Sequence, residues 1–295
     1  MTAKPLKGRP LSDALRRDLA ARAGRLTEER GTPPRLAVVA VGGDPGSQVF
    51  LRQKLEACRE VGVEPTVESL PAGISESKVL RLVAKLGQDP DIDGIVVEQP
   101  VPSPLDAARL VEAIPVEKDI EGVTAQNMGR FYAQKTWEGV KKADVLVPCT
   151  AHAIVHLVLE AKRPPAGLHA VVVGRSTIVG RPTAHLLSCL DATVTLCHSR
   201  TKGLERFVSS ADILVCAMGR PGTVKGGWVK PGALVVDAGV NASGGQIVGD
   251  VEAGPAEARA GWLTPVPGGV GPLTVTFLLY NTVVAAERRT KKTLG

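Results

Sequence analysis

The chain has 295 residues, 44% of them hydrophobic and only 3% aromatic, with a net charge of +6. That length supports a full core and suits two domains, and the scarcity of aromatics leaves Ala, Val, Leu and Ile to build it. The positive balance admits small anionic ligands, but no aromatic–basic interleaving marks a nucleic-acid surface; the basic run at residues 288–292 reads as a solvated tail.

In chain order, LSDALRRDLAARAGRLTEER (11–30) predicts a helix with Ser12 as N-cap and Leu11, Leu15 and Leu19 at helical spacing. RLAVVAVG (35–42) is a short continuous apolar run ending in Gly, the pattern of a buried parallel strand. GSQVFLRQK (46–54) places Ser47, Phe50 and Lys54 on a helix, ring and ammonium four residues apart on one face, and KLEACREVGVE carries that helix to a stop at Gly62. PTVESLP, SESKVLRLVAKLGQ and IDGIVVEQP continue the strand–helix rhythm of an open α/β layer.

From Pro148 the pattern restarts. CTAHAIVHLVLEAK reads as a helix and LHAVVVG (168–174) as a strand running into GRSTIVGRP. The helix TAHLLSCL, the strands ATVTLCH, ADILVCAMG and GALVVDAGV, a rigid Gly/Pro loop TPVPGGVGP (264–272) and a closing helix LTVTFLLYNTVVAAERRT follow. The expected fold class is α/β: two three-layer domains, the second a Rossmann-like doubly wound parallel sheet. The expected boundaries are 1–147 plus 273–295 for the first domain and 148–272 for the second, with the last helix returning to the first.

Five scattered cysteines, Cys58, Cys149, Cys189, Cys197 and Cys216, form no CxxC pair and predict free thiols in a reducing compartment. The N-terminus lacks the apolar core of a signal peptide, and no apolar run reads as long enough to cross a membrane, so a cytoplasmic protein without a membrane partner is expected. His152 and His156 form a helical i, i+4 pair without a third ligand nearby, and no metal is expected.

VVVGRSTIVG occupies the phosphate-loop position of a doubly wound fold, where Gly174 and Gly180 would let backbone approach a pyrophosphate. Its spacing departs from GxGxxG, and a tight βα turn reads the same way. Arg175 and Ser176 suit the extra 2′-phosphate of NADP, and the next strand ends in His198, Ser199 and Arg200 without the acid that an NAD ribose calls for. Val240 in DAGVN would lie against a nicotinamide ring, or simply mark a strand-end turn. In the first half, Lys54 alone reads as a solvated lysine, but Glu98 ends an apolar strand, where a carboxylate is costly unless paired. Asp119 and Glu121 in EKDIEG read either as turn solvation or as part of the same site.

Taken together, these stretches resemble the bifunctional methylenetetrahydrofolate dehydrogenase/methenyltetrahydrofolate cyclohydrolase family, from about residue 5 to 287. VGGDPGSQVFLRQK is similar to the family's VGxxxxSxxYxxxK, DGIVVEQPVP to DGILVQLPLP, EKDIEG to KDVDG and PCTA to PCTP; GRSTIVGRP, CHSRT, DAGVN and TPVPGGVGPLT also resemble family segments. The resemblance implies NADP-dependent oxidation of 5,10-methylenetetrahydrofolate to the methenyl form, followed by hydrolysis to 10-formyltetrahydrofolate. It also implies tetrahydrofolate one-carbon derivatives as ligands, a cleft between two domains and a homodimer. Lys54 matches the family's catalytic lysine, with Glu98 and Glu121 at neighbouring catalytic positions. Phe50, Asp119, Pro267, Gly268 and Gly269 fall at substrate-side positions, and Gly174, Arg175, Ser176, Ser199, Val240, Thr150 and Thr274 at cofactor positions.

Departures gather on the folate side: Phe50 stands where the family has tyrosine, Glu98 where it has glutamine, and Glu121 where it has the pterin-binding aspartate. An ion pair with Glu98 would hold Lys54 charged, a poorer proton acceptor. The leading expectation is therefore a retained dehydrogenase with a weakened or lost cyclohydrolase, restored by Phe50→Tyr with Glu98→Gln. The alternatives are full bifunctional activity with Glu98 replacing the amide, a divergent paralogue acting on a modified pterin, or a non-catalytic NADP- or folate-binding protein.

Overall fold

The computed structural model describes the backbone of residues 2–43 and 45–294 and the side chains of residues 2–43 and 51–291. β1 (Lys4–Pro5) and the long α1 (Gly8–Arg30) open the chain. β2 (Arg35–Val41), α2 (Pro45–Glu60), β3 (Glu64–Leu70), α3 (Glu76–Gln88) and β4 (Gly94–Val97) then alternate. Short helices α4 (Ala107–Glu112), α5 (Ala125–Tyr132) and α6 (Trp137–Lys142) follow. α7 (Cys149–Glu160) leads into β5 (His169–Val173), α8 (Gly180–Cys189), β6 (Thr193–Cys197), α9 (Leu204–Val208), β7 (Ile213–Cys216) and β8 (Leu234–Asp237). The hairpin β9 (Asn241–Ser243) and β10 (Gln246–Val248), then α10 (Ala253–Glu257), β11 (Trp262–Leu263) and α11 (Val270–Leu294), complete the order.

The chain divides into two compact units. One comprises Asp13–Arg130, Val145–Val147 and Val275–Gly295; the other comprises Met1–Ser12, Phe131–Asp144 and Pro148–Thr274. The sequence pattern predicts residues 1–12 and 131–144 in the first domain, whereas they cluster with the nucleotide-type unit. A backbone ladder is the reason for the N-terminal residues: β1 runs parallel to β11, with Lys4 opposite Trp262 and Pro5 opposite Leu263. Two-residue pairings between chain ends leave no local pattern to read.

In the first unit the parallel sheet runs β3–β2–β4. After Arg35 the central β2 is apolar throughout because both of its faces are covered, as parallel strands require. α3 lays Val79, Val83 and Leu86 into the core, one stripe at i, i+4 and i+7. Asp93, only 1% exposed, pairs with Arg30 and Arg289 and so ties the ends of α1 and α11 to the edge of β4.

In the second unit six parallel strands run β1–β11–β8–β7–β5–β6. Apart from half-buried His169 and the buried Asp237 that ends β8, β5, β7 and β8 are buried and built of Val, Ile, Leu, Ala and Cys, as on a sheet covered on both faces. All five cysteines are free thiols and buried. His152 packs edge-on against the Trp137 ring, and burial, helped by His156, lowers its imidazole to about 3.

Three local expectations shift. α1 begins at Gly8, so Ser12 is no N-cap but a buried helical residue whose hydroxyl donates to the Pro272 carbonyl. α11 begins at Val270, so the end of the 264–272 loop is already helical. Finally, Val270–Lys291 is long and apolar enough by length and composition to cross a membrane, against the expectation that no run would be; 61% of its most apolar window is buried within the fold. Its Phe277, Leu279 and Val283 are core residues.

Candidate active site

Strand β4 carries the first-unit site. Gly94 begins it because Ile120 lies against that position: a β-carbon there would meet an Ile120 methyl at 2.5 Å. This approach lets residues 118–120 run alongside β4, with the Ile95 amide donating to the Lys118 carbonyl at 2.9 Å and Ile95 bridging Asp119 in parallel. Asn281 of α11 clamps the segment from the other side, its amide nitrogen donating to the carbonyls of Ile120 (2.8 Å) and Val147 (3.0 Å). Glu98, one residue past β4, and Glu121 thus end on neighbouring backbones at the carboxyl end of the sheet, where open α/β folds place ligands.

Lys54 reaches this place from α2, and its ammonium pairs with Glu98 Oε1. Both side chains are largely shielded, 12% and 16% exposed, so the lysine is not a solvated surface charge. Glu98 Oε2 has no partner among the described residues. Asp119 does not reach out to a ligand: it is 1% exposed, and its carboxylate accepts from the amides of Gly122, Val123 and Thr124 and from the Thr124 hydroxyl. It shapes the loop that carries Glu121. The backbone of α2 includes Phe50 and Ser47, whose side chains lie outside the described residues.

Burial pushes the Glu121 carboxyl up to about 7, with Glu98 and Asp119 adding to the rise and Lys54 opposing it. A carboxyl raised above its ordinary 4.5 binds its proton more tightly folded than unfolded, so the stability it supplies is present at low pH and is lost as pH rises through about 7. Glu121→Gln cannot ionise and is expected to gain on the order of 1–3 kcal/mol over the wild type on going from pH 4 to pH 8. Urea midpoints at the two pH values measure it; equal differences at both would mean Glu121 ionises as in the unfolded chain.

In the second unit Gly174 ends β5 at φ +138°, and a β-carbon on it would meet the Ala217 carbonyl oxygen at 2.2 Å. On Gly180, at the start of α8, a β-carbon would lie 1.9 Å from the Gly174 carbonyl oxygen. Only glycines close this turn. The backbone N–H groups of residues 175–178 have no protein acceptor among the described residues, and Arg175, Ser176, Ser199 and Arg200 are exposed around them. A run of free N–H groups before a helix, flanked by Arg175 and Arg200, fits a dinucleotide phosphate. Ser176 differs from expectation in part: its Oγ accepts from the amides of Val179 (3.1 Å) and Gly180 (3.2 Å), capping α8, and only its O–H remains to donate.

Val240 projects 57% exposed beyond β8. What holds it is a pair of buried acids, neither of which stands out in the sequence. Asp250, fully buried, accepts from the amides of Met218, Gly219 and Arg220 and from Asn241 Nδ2, at 2.5–3.0 Å. Asp237 accepts from the amides of Gly239, Asp250 and Val251, and burial lifts its carboxyl to about 6. Gly239 and Gly249 leave room for these carboxylates, 2.4 and 2.0 Å from where their β-carbons would be. The available signal was an acid in VGDV, just after a short apolar stretch that follows Gly244 and Gly245.

The remaining expected positions divide. Thr150 sits, partly buried, in the first turn of α7, and Pro267 is exposed. Gly268 (φ +108°) accepts the Gly8 amide at its carbonyl, and a β-carbon on Gly8 would meet the Gly269 oxygen at 1.8 Å. The two glycines thus seat the start of α1. Thr274 is helical and its hydroxyl donates to the Val270 carbonyl.

A parallel nucleotide-type sheet with a glycine-closed phosphate turn, joined to an α/β unit bearing a shielded lysine–carboxylate cluster, defines the class of two-unit α/β enzymes that use a dinucleotide. Residues 6–121 match the catalytic domain of tetrahydrofolate dehydrogenase/cyclohydrolase, and residues 148–290 match its NAD(P)-binding domain. The chain belongs to the tetrahydrofolate dehydrogenase/cyclohydrolase family. It is 44% identical over 289 residues to the bifunctional protein FolD of Moorella thermoacetica, covering 98% of this chain and all of that protein. Among solved structures, the bifunctional FolD of Campylobacter jejuni superposes with a TM-score of 0.92 at 34% identity, over 97% of this chain and 99% of that one. The Trypanosoma brucei methylenetetrahydrofolate dehydrogenase-cyclohydrolase, complexed with NADP and an inhibitor, gives 0.91 at 34% identity, over 98% of both chains.

Proposed function

We propose that the protein oxidises 5,10-methylenetetrahydrofolate with NADP and hydrolyses the resulting methenyl compound to 10-formyltetrahydrofolate. The observation that carries this reading is the Lys54–Glu98 pair beside Glu121 at the carboxyl end of β4, on a chain alike end to end to proteins named bifunctional. The expectation of a weakened cyclohydrolase rested on the altered residues alone. Relatives favour the bifunctional alternative, and a paired Glu98 leaves the site with its charges satisfied rather than broken.

The unit holding Lys54 takes the folate. Glu121, when ionised, accepts hydrogen bonds from the N–H groups of the pterin ring, and Glu98 with Lys54 faces the one-carbon bridge. In the other unit the free N–H groups of 175–178 hold the pyrophosphate, and Arg175 with Ser199 takes the 2′-phosphate. Val240 offers an apolar face to the nicotinamide ring. NADP, when bound, supplies the ring that accepts the hydride. The chain's own contribution to that step is orientation and a negative environment for the cation that forms. A cytoplasmic homodimer is the setting we infer; buried free thiols suit a reducing compartment.

The test follows NADPH, methenyl absorbance and 10-formyl product together, starting from the methylene substrate and NADP. NADPH and formyl product forming in step supports the reading. NADPH with methenyl compound accumulating, and clearing only at the uncatalysed rate, would leave a dehydrogenase alone.

A further inference from the structure

We propose that Glu98, not Lys54, is the general base that activates water in the hydrolytic step, with Lys54 acting as the acid for the departing nitrogen. This rests on the bifunctional reading and deepens it. Lys54 donates to Glu98 Oε1, and an ammonium so engaged has no lone pair with which to take a proton from water. Glu98 offers what a base needs: Oε2 without a partner among the described residues, and a side chain 16% exposed, shielded yet reachable by water. An amide at this position, as in the family pattern, could orient a lysine but could not accept a proton at neutral pH. A carboxylate does both.

Water oxygen bonds to the methenyl carbon while one of its protons passes to Glu98, and the iminium π electrons return to nitrogen. The neutral carbinol then collapses: its C–N5 bond breaks, Lys54 gives a proton to N5, and the hydroxyl proton leaves to solvent as the formyl C=O forms on N10. Glu98 returns its proton to Lys54 across their shared hydrogen bond. One water is consumed and one proton released, and no oxidant or reductant takes part.

The decisive variant is Glu98→Gln, which installs the family's own residue. Hydrolysis of 5,10-methenyltetrahydrofolate is measured directly, without NADP, above the uncatalysed rate, and dehydrogenase turnover is measured in parallel as a check on folding. The expected result is at least a 100-fold loss of hydrolysis, and at least ten times more loss than in dehydrogenase turnover. Glu98→Ala is expected to be equally poor, and to recover hydrolysis saturably with added formate, a rescue that a merely structural role would not show. The charged groups that face Glu98 are Lys54 from α2, which pairs with it, and Glu121 from the segment beside β4, whose carboxyl it pushes up; Cys58 lies by Lys54 and Asp119 by Glu121. Hydrolysis by Glu98→Gln at or above the wild-type rate overturns the assignment and returns the base role to Lys54. A wild type without hydrolysis overturns the bifunctional reading itself, and that is seen before any variant is made.

Discussion

Lys54→Met is expected to lower methenyltetrahydrofolate hydrolysis by about 10²–10⁴-fold, the range for removing a positioned proton-transfer or charge-stabilising group. The same change leaves Glu98 a shielded carboxylate without its cation, so the protein also loses stability. The two effects separate in the double variant Lys54→Met with Glu98→Gln. A neutral amide needs no cation, so the urea midpoint recovers toward wild type while hydrolysis stays lost. First-order hydrolysis rates and urea midpoints on the three proteins provide the comparison. Single-variant hydrolysis within twofold of wild type would remove Lys54 from the chemistry.

Asp250→Ala is the second large effect, and it concerns the nucleotide unit. Removing this carboxylate strands the amides of Met218, Gly219 and Arg220 and the Asn241 side chain, all gathered on two buried oxygens. Each unsatisfied buried donor costs roughly 1–3 kcal/mol, so even with partial rearrangement a loss of about 3–5 kcal/mol is expected, at the upper end for single substitutions. The shift reads as a lower urea midpoint at an unchanged slope. Asp250→Asn keeps one acceptor oxygen and turns an NH₂ on the other donors, so it should fall between the two. A midpoint within about 0.5 kcal/mol of wild type, the ordinary range for surface changes, would show that water replaces the carboxylate.

These predictions rest on residues of unequal visibility. Glu98 is legible as a candidate because a carboxylate ending an apolar strand is costly unless something pairs with it, whereas Lys54 alone reads as a solvated charge and joins the site, like Glu121, through the family resemblance. Their meeting is not legible, since β4 and the segment after α4 are joined by the parallel Ile95–Asp119 bridge, by Ile120 lying over Gly94 and by the Asn281 clamp, and Lys54 reaches them from α2. Asp119 is ambiguous in sequence, turn former or site acid, and the structure has the amides of residues 122–124 on its oxygens. Ser176 looks like a phosphate contact and is first a helix cap.

By itself the sequence determined the strand–helix alternation, the apolar central strands and the glycine-closed βα turn after β5, because these depend on periodicity and on where glycine is tolerated. The start of α1 at Gly8, the pairing of β1 with β11, the clamp of Asn281 on Ile120 and the buried Asp237–Asp250 pair were decided only by tertiary structure. Each joins residues more than ten positions apart, through a close approach or a hydrogen bond that leaves no period in the chain. The lysine belongs to this second kind as well: its charge is written in the sequence, but its role depends on a carboxylate 44 residues away that only the fold brings to it.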